Sequence, residues 1–250
     1  MANNDIKFQF ELITLADDLG EITQTELARH KKRKSLRIDV ENAEPPVHIG
    51  GFGAMKESFK VKTLSETGAA FYHNDQGVKS KIGHYSKTVL DVGEFQVPMM
   101  GRVLYANQDS MGLEFVQPNV ASSTSLRSHF KLEFIAASLR ASFLSEVNPE
   151  GVAQKKVCYG NHEGYRVEII SEGNELKSFE IDCGQGGFAA KWEHSHPLYV
   201  FSEVKQKPTE KIARNQVISF LRNLEAMNPR LLLQMSTIAK SVPIQIDCLR

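Results

Sequence analysis

A run of cationic side chains near the start of the chain offers the clearest chemistry in the sequence. Residues 29–37 read RHKKRKSLR, and six of these nine residues are Lys or Arg. Because the formal net charge of the 250-residue chain is zero, the remaining residues sum to −6 and the positive field is local. A local cluster of this kind favours a compact anionic partner, such as a nucleotide phosphate, over a long nucleic acid. Taken alone, a basic run is also typical of a solvated face or arm.

The arginines in this run carry more information than its lysines. Arg33 and Arg37 stand four positions apart, at R-x-x-x-R spacing, and Arg29 precedes them by another four. A guanidinium group presents a planar fork of donors that matches phosphate oxygens and the O6/N7 edge of guanine. A lysine ammonium supplies charge without that fork, so the arginines are the candidate ligand contacts.

Two later motifs carry small residues at fixed spacing. Ser65 and Gly68 form S-x-x-G within TLSETGAAF, and Gly112 and Phe115 form G-x-x-F within GRVLYANQDSMGLEF. A serine hydroxyl suits a guanine or phosphate contact. A glycine allows either close approach of the backbone to a ligand or a positive φ.

In this order and spacing, the three motifs resemble the PilZ domain family, whose members bind the bacterial second messenger cyclic di-GMP. The family signature is R-x-x-x-R, then [D/N]-x-S-x-x-G, then a late G-x-x-F strand. Thr63 stands at the [D/N] position, where its oxygen accepts one hydrogen bond but not a bidentate pair, so we expect weakened affinity. The resemblance implies no cofactor and six contacts to cyclic di-GMP, from Arg29, Arg33, Arg37, Thr63, Ser65 and Gly68.

Short apolar segments separated by turn residues occupy the first half of the chain and predict a β-barrel. The predicted fold class is mainly β plus α+β: a PilZ-like antiparallel barrel of six or seven strands, then an α+β domain with an antiparallel sheet and three helices. The predicted divisions are an N-terminal extension at 1–28, containing a strand and a short helix, the barrel at 29–120 and the α+β domain at 121–250.

The helices of the α+β domain are predicted from apolar periodicity. Apolar residues recur at three- and four-residue steps from Leu126 to Leu144, which predicts one amphipathic helix. Strand patterns fill roughly 155–204, and helices are predicted from Thr209 and from Pro229.

Composition is that of an ordinary globular protein, and no apolar run approaches the about 18 residues that span a bilayer. The first residues lack the pattern of a secretory signal, so we expect a cytoplasmic location. Three widely spaced cysteines indicate reduced thiols rather than a disulfide framework.

Other candidate sites have weaker support. His194 and His196, two apart, would form part of a metal site only with a third ligand, and polar surface or packing is the better interpretation. The glycine-rich stretch at 183–188 lacks the Lys-Ser/Thr of a phosphate loop and predicts a hairpin turn. No motif indicates a catalytic nucleophile, so we expect no enzymatic activity.

The resemblance therefore implies a cyclic di-GMP receptor. On binding, its arm and interdomain arrangement would change and control a downstream protein partner in motility, adhesion or exopolysaccharide production. The alternative is a protein–protein adaptor whose PilZ-like barrel no longer binds nucleotide. A homodimer is compatible with either interpretation.

Overall fold

A computed structural model describes residues 35–51, 58–72, 82–93, 95–116, 120–147, 154–184, 187–202, 208–224 and 227–248. These residues belong to one compact unit, Ser35–Arg250. The predicted N-terminal strand and short helix, and the extension at 1–28 that contains them, lie outside the described residues.

Seven strands form the first sheet, and six of them close into an antiparallel barrel. The ring runs β3-β2-β5-β6-β7-β4 and is closed by pairing of β3 with β4, while β1 adds to β3. The barrel is thus the predicted antiparallel architecture. The strands are β1 (Arg37–Asp39), β2 (His48–Gly50), β3 (Ser58–Ser65), β4 (Gly68–Tyr72), β5 (Tyr85–Val92), β6 (Phe95–Ala106) and β7 (Ser110–Phe115).

Alternation along the strands fills the barrel interior. In β6, Val97, Met99 and Val103 are buried while Pro98 and Met100 are exposed, as the two-residue period of a strand requires. The inward residues form one apolar core whose largest members include Phe71, Ile38, Leu90 and Met111. This core holds the strands that carry the sequence motifs.

Two short helices complete the barrel core. They are α1 (Val120–His129) and α2 (Lys131–Ser138). Leu126, Phe130 and Phe134 pack with the barrel residues, whereas Ile135 on the adjoining face of α2 packs into a second core. Helix α2 therefore contacts both cores. The predicted division near residue 120 stays a prediction.

The single helix predicted from Leu126 to Leu144 is wrong in its second half. The chain leaves helical geometry at Phe130 and again at Leu139, whose ψ of 141° is extended. Leu144 lies in strand β8 (Arg140–Val147), where it pairs with Val157. The three- and four-residue spacing thus continued by coincidence into a strand.

The second sheet is open and has the order β14-β13-β12-β11-β10-β9-β8. Two helices, α3 (Glu210–Arg222) and α4 (Pro229–Ser241), pack on it. Each helix begins at a capping side chain: Thr209 accepts from the Ile212 amide and Asn228 from the Arg230 amide. The strands after β8 are β9 (Gln154–Gly160), β10 (Arg166–Glu172), β11 (Glu175–Asp182), β12 (Phe188–Glu193), β13 (Leu198–Ser202) and β14 (Ile244–Cys248).

The predicted fold class is confirmed, with two corrections in the second half. The described residues contain four helices rather than three, because the predicted first helix is two. The sheet is not wholly antiparallel, because β14, a strand that the sequence analysis missed, pairs parallel with β13.

Candidate functional site

Strand pairing brings the first two sequence motifs together. Arg37 on β1 lies opposite Ser65 on β3, and Ser65 lies opposite Gly68 on β4. Residues about thirty positions apart in the sequence therefore share one row across three adjacent strands. Arg29 and Arg33 lie outside the described residues.

Ser65 holds the turn between β3 and β4. Its hydroxyl donates to the carbonyl of Gly68 at 3.1 Å and accepts from the amide of Thr67 at 3.3 Å. The side chain is only 2% exposed. The hydroxyl thus has a structural role in the turn, and its predicted contact with a ligand stays a prediction.

The same turn is anchored from two other elements. The hydroxyls of Ser35 and Thr67 lie 2.7 Å apart, which joins the turn to the last residues of the basic run. Arg127 on α1 forms an ion pair with Glu66. The end of the R-x-x-x-R motif and the S-x-x-G turn are therefore one connected structure.

Gly68 is required by packing against β7. A Cβ at this position would clash with the backbone carbonyl oxygen of Leu113, well inside van der Waals contact. Gly68 does not have a positive φ, so the expectation of a positive φ at this position is wrong. Close backbone approach is the reason for glycine here, and the backbone it approaches is the neighbouring strand.

Thr63 lies opposite Asp39 in the pairing of β1 with β3. Its hydroxyl oxygen is buried and has no hydrogen-bond partner among the described residues. An unpartnered buried hydroxyl is unfavourable by roughly 1–3 kcal/mol. A ligand contact through this oxygen would require the oxygen to become accessible first.

The late G-x-x-F motif builds the wall beside this row. The ring of Tyr105 covers Gly112, and a Cβ there would clash with it, while Phe115 is buried in the core. Glu114 lies opposite both Gly68 and Arg102 and forms an ion pair with Arg102. The hydrogen bond that Arg102 donates to Glu114 raises the pKa of Arg102, which stays cationic.

Asn223, at the end of α3, is a residue that sequence reasoning missed. Its side-chain oxygen accepts from the Asp39 amide at 2.7 Å, and its side-chain nitrogen donates to the Asp39 carbonyl at 3.4 Å. The same nitrogen donates to the carbonyl of Ser219 at 3.0 Å, and Asn223 is 3% exposed. The amide therefore occupies the edge of β1 as a neighbouring strand would. An asparagine at a helix end signals a cap and gives no sign of a partner 184 positions away.

The other sequence candidates have local roles. The His194 ring packs edge-on against Trp192, and Nδ1 of His196 lies 3.1 Å from the His194 carbonyl oxygen. No group of three His, Cys, Asp or Glu side chains arranged for a metal occurs in the part of the chain that the structure describes. The strands on either side of the stretch at 183–188 pair antiparallel, as the predicted hairpin requires, while residues 185 and 186 of the turn lie outside the described residues.

The closed six-strand antiparallel barrel, with Arg37, the S-x-x-G turn and the G-x-x-F strand on its wall, has a PilZ-like fold. No protein-family model matches the sequence, and no curated protein matches it. Among the described residues, no helix is long and apolar enough to cross a membrane.

Several solved structures are similar to this chain, among them the following three. An uncharacterized Legionella protein is 17% identical over 38% of this chain and 89% of its own, with a TM-score of 0.29. The PilZ domain of CeSA from a cellulose-synthesizing bacterium is 18% identical over 35% of this chain and 91% of its own, at 0.28. Borreliella burgdorferi PlzA, in complex with c-di-GMP, is 10% identical over 68% of this chain and 84% of its own, at 0.27. With such low scores, the PilZ-like character rests on the barrel and its motifs.

Proposed function

We propose that this chain is a cyclic di-GMP receptor, a binding protein without a catalytic role, whose ligand lies over the row formed by Arg37, Ser65 and Gly68. The observation that supports it most is the register of β1, β3 and β4, which brings the two motifs to one place. Arg37 extends outward from β1, because the neighbouring Ile38 is in the barrel core. Its guanidinium fork would bind a phosphate or the O6/N7 edge of guanine.

Arg33 and Arg29 complete the proposed site, and the support for them comes from the sequence alone. Both precede Arg37 at four-residue steps in a run that repels itself. The two phosphates of cyclic di-GMP would neutralise that repulsion and change the arrangement of the arm, which is the basic run at 29–37. A ligand that binds one arrangement better shifts the population toward it.

In this proposal, the effect of ligand binding is transmitted to the second sheet through β1. The strand that carries Arg37 is held on its other edge by Asn223 of α3. A ligand that restrains Arg37 would therefore also restrain the end of α3 and the second sheet on which that helix packs. The downstream protein partner would recognise this change in arrangement.

Isothermal titration calorimetry with cyclic di-GMP tests the proposal. We expect saturable binding by the unaltered chain and none by the double variant Arg33→Ala/Arg37→Ala. The matched control is Lys31→Ala/Lys32→Ala, which removes the same charge from the same run but leaves the guanidinium groups of Arg33 and Arg37 in place. Binding by the arginine variant would disprove the site, and no binding by the unaltered chain would favour the adaptor alternative.

Hydrogen exchange tests the output separately. Ligand should slow amide exchange in β1 and in the last turn of α3, and Asn223→Ala should confine the protection to the barrel. Protection that never reaches α3 in the unaltered chain would disprove the coupling while leaving the receptor intact.

A further inference from the structure

The proposed site has ample donors, whereas the two acidic side chains nearest its row are already in ion pairs, Glu114 with Arg102 and Glu66 with Arg127. Arginine side chains donate only, and the Ser65 hydroxyl is buried and already bonded within its turn. The Thr63 oxygen is buried as well. Guanine, however, presents two donors, N1–H and N2–H, on its Watson–Crick edge, and these need an acceptor to be recognised.

Asp39 is an acceptor at the right register. It lies two residues after Arg37 on β1, and both alternate with the core residues Ile38 and Val40, so their side chains share the outer face. Asp39 also lies opposite Thr63. Successive residues on one face of a strand are about 6.6 Å apart, which suits one ligand bound by both.

The backbone pairing brings Asp39 and Thr63 especially close. The amide and carbonyl of Asp39 bond to Asn223, on the side away from β3, whereas the amide of Val40 bonds to Lys62 on β3. Asp39 and Thr63 are therefore a pair without mutual hydrogen bonds. In such pairs the Cα atoms are about 4.5 Å apart and the side chains are nearest each other.

The carboxylate is also held in a fixed position. Oδ1 of Asp39 accepts from the Glu41 amide at 2.9 Å. No ion pair between Asp39 and Arg37 occurs, and among the described residues Oδ2 has no hydrogen-bond partner. One carboxylate oxygen thus positions the group and keeps a second lone pair, while the other oxygen is available, so the group can still accept two hydrogen bonds from a ligand.

We propose that Asp39 is the guanine-specificity residue of this site: its carboxylate accepts from N1–H and N2–H of one guanine while Arg37 binds a phosphate or the opposite edge. This rests on the proposed receptor function. Adenine has an acceptor at N1 and no amino group at C2, so the same carboxylate disfavours cyclic di-AMP. Asp39 supplies, from the next strand, the acidic group that position 63 does not.

The test measures both cyclic dinucleotides by calorimetry. Asp39→Ala should weaken cyclic di-GMP binding about tenfold to a hundredfold and leave cyclic di-AMP binding unchanged or stronger. The ratio of the two affinities should therefore become smaller. Adding Thr63→Asp to Asp39→Ala should restore most of the cyclic di-GMP affinity, because the acid returns on the adjacent strand. Glu41→Ala, which removes an equal charge two residues later, should change affinity less than twofold.

Each result separates the two claims. If the unaltered chain binds no cyclic di-GMP, the receptor proposal fails and takes this inference with it. If it binds and Asp39→Ala keeps both affinity and discrimination, only the role of Asp39 is disproved. Circular dichroism checks that Asp39→Ala folds. If it does not, Asp39→Asn, which keeps one acceptor oxygen for the Glu41 amide, replaces it and should show a smaller loss of discrimination; unchanged discrimination there also disproves the role.

Discussion

The two seven-stranded sheets differ in whether their edge strands pair with each other. The barrel closes through pairing of β3 with β4, whereas the second sheet stays open, with β8 and β14 at its ends. Closure removes the free edges that an open sheet leaves. In the barrel, the short β1 is the exception, because it pairs with β3 and no other strand among the described residues.

The difference places the candidate site where the two regions meet. The closed wall fixes Ser65 and Gly68 against their neighbours. The outer edge of β1 depends on Asn223, which belongs to a helix packed on the open sheet. The motif residues are therefore supported by the barrel on one side and by the second region on the other.

Removing the close approach at the barrel closure should have the largest effect on stability. Gly68→Ala places a Cβ against the Leu113 carbonyl, which is backbone and cannot move without opening the β4–β7 pairing. We expect the free energy of unfolding to fall by about 3 kcal/mol or more, measured by urea denaturation.

Gly112→Ala is the matched control on the neighbouring strand. Its Cβ would meet the Tyr105 ring, a side chain that is 37% exposed and can rotate away. We expect a loss of about 1 kcal/mol. Equal losses of unfolding free energy in the two variants would mean that the backbone of the barrel wall shifts as readily as the Tyr105 side chain. That result would contradict the rigidity inferred for the wall.

Removing the link between the regions should have an intermediate effect. Asn223→Ala leaves the amide and carbonyl of Asp39 without their partner, which is unfavourable by roughly 1–3 kcal/mol in the free energy of unfolding. Asn215→Ala, on the same helix, removes an exposed bond to Glu44 and should change stability by under about 0.5 kcal/mol. A similar value for both variants, from the same urea titrations, would refute a supporting role for Asn223.

Sequence patterns predicted local features well and distant pairings poorly. Short apolar segments separated by turn residues predicted the strands of the barrel, because each segment is a property of nearby residues. The role of Gly68 depends on β7, which lies some forty-five positions later, so the sequence offered a ligand approach or a positive φ in its place. Asn223 and Asp39 have no local relation at all.

The failure in the predicted first helix has the same cause. Leu126, Phe130 and Phe134 do face a core, as their spacing predicted. Leu144 continued the spacing but is a strand residue, because pairing with β9 decides its conformation. The periodicity thus identified buried residues only as far as the helices extend, since Leu144 is 37% exposed and its conformation depends on pairing with a distant segment.

The last predicted effect concerns pH and distinguishes the two cores. Tyr159 of β9 is buried in the second core, and this burial raises its pKa from 10.0 to about 12. The described barrel core contains no tyrosine. Because the folded pKa lies above the unfolded value, the neutral phenol stabilises the fold fully below pH 10, and this contribution is lost as the pH rises toward 12.

Tyr159→Phe should therefore remove part of the alkaline sensitivity. Between pH 9 and 11 the phenol accounts for a loss of about 1.3 kcal/mol in the free energy of unfolding, at about 1.36 kcal/mol for each pKa unit. The variant should lose that much less over the same interval in urea titrations. Cys183, whose pKa burial raises to about 12, is present in both proteins, so the difference isolates Tyr159. Tyr199→Phe, on the opposite face of the sheet, is the control; if it matched Tyr159→Phe, the effect would not come from the second core, and the contrast between the two cores would not hold.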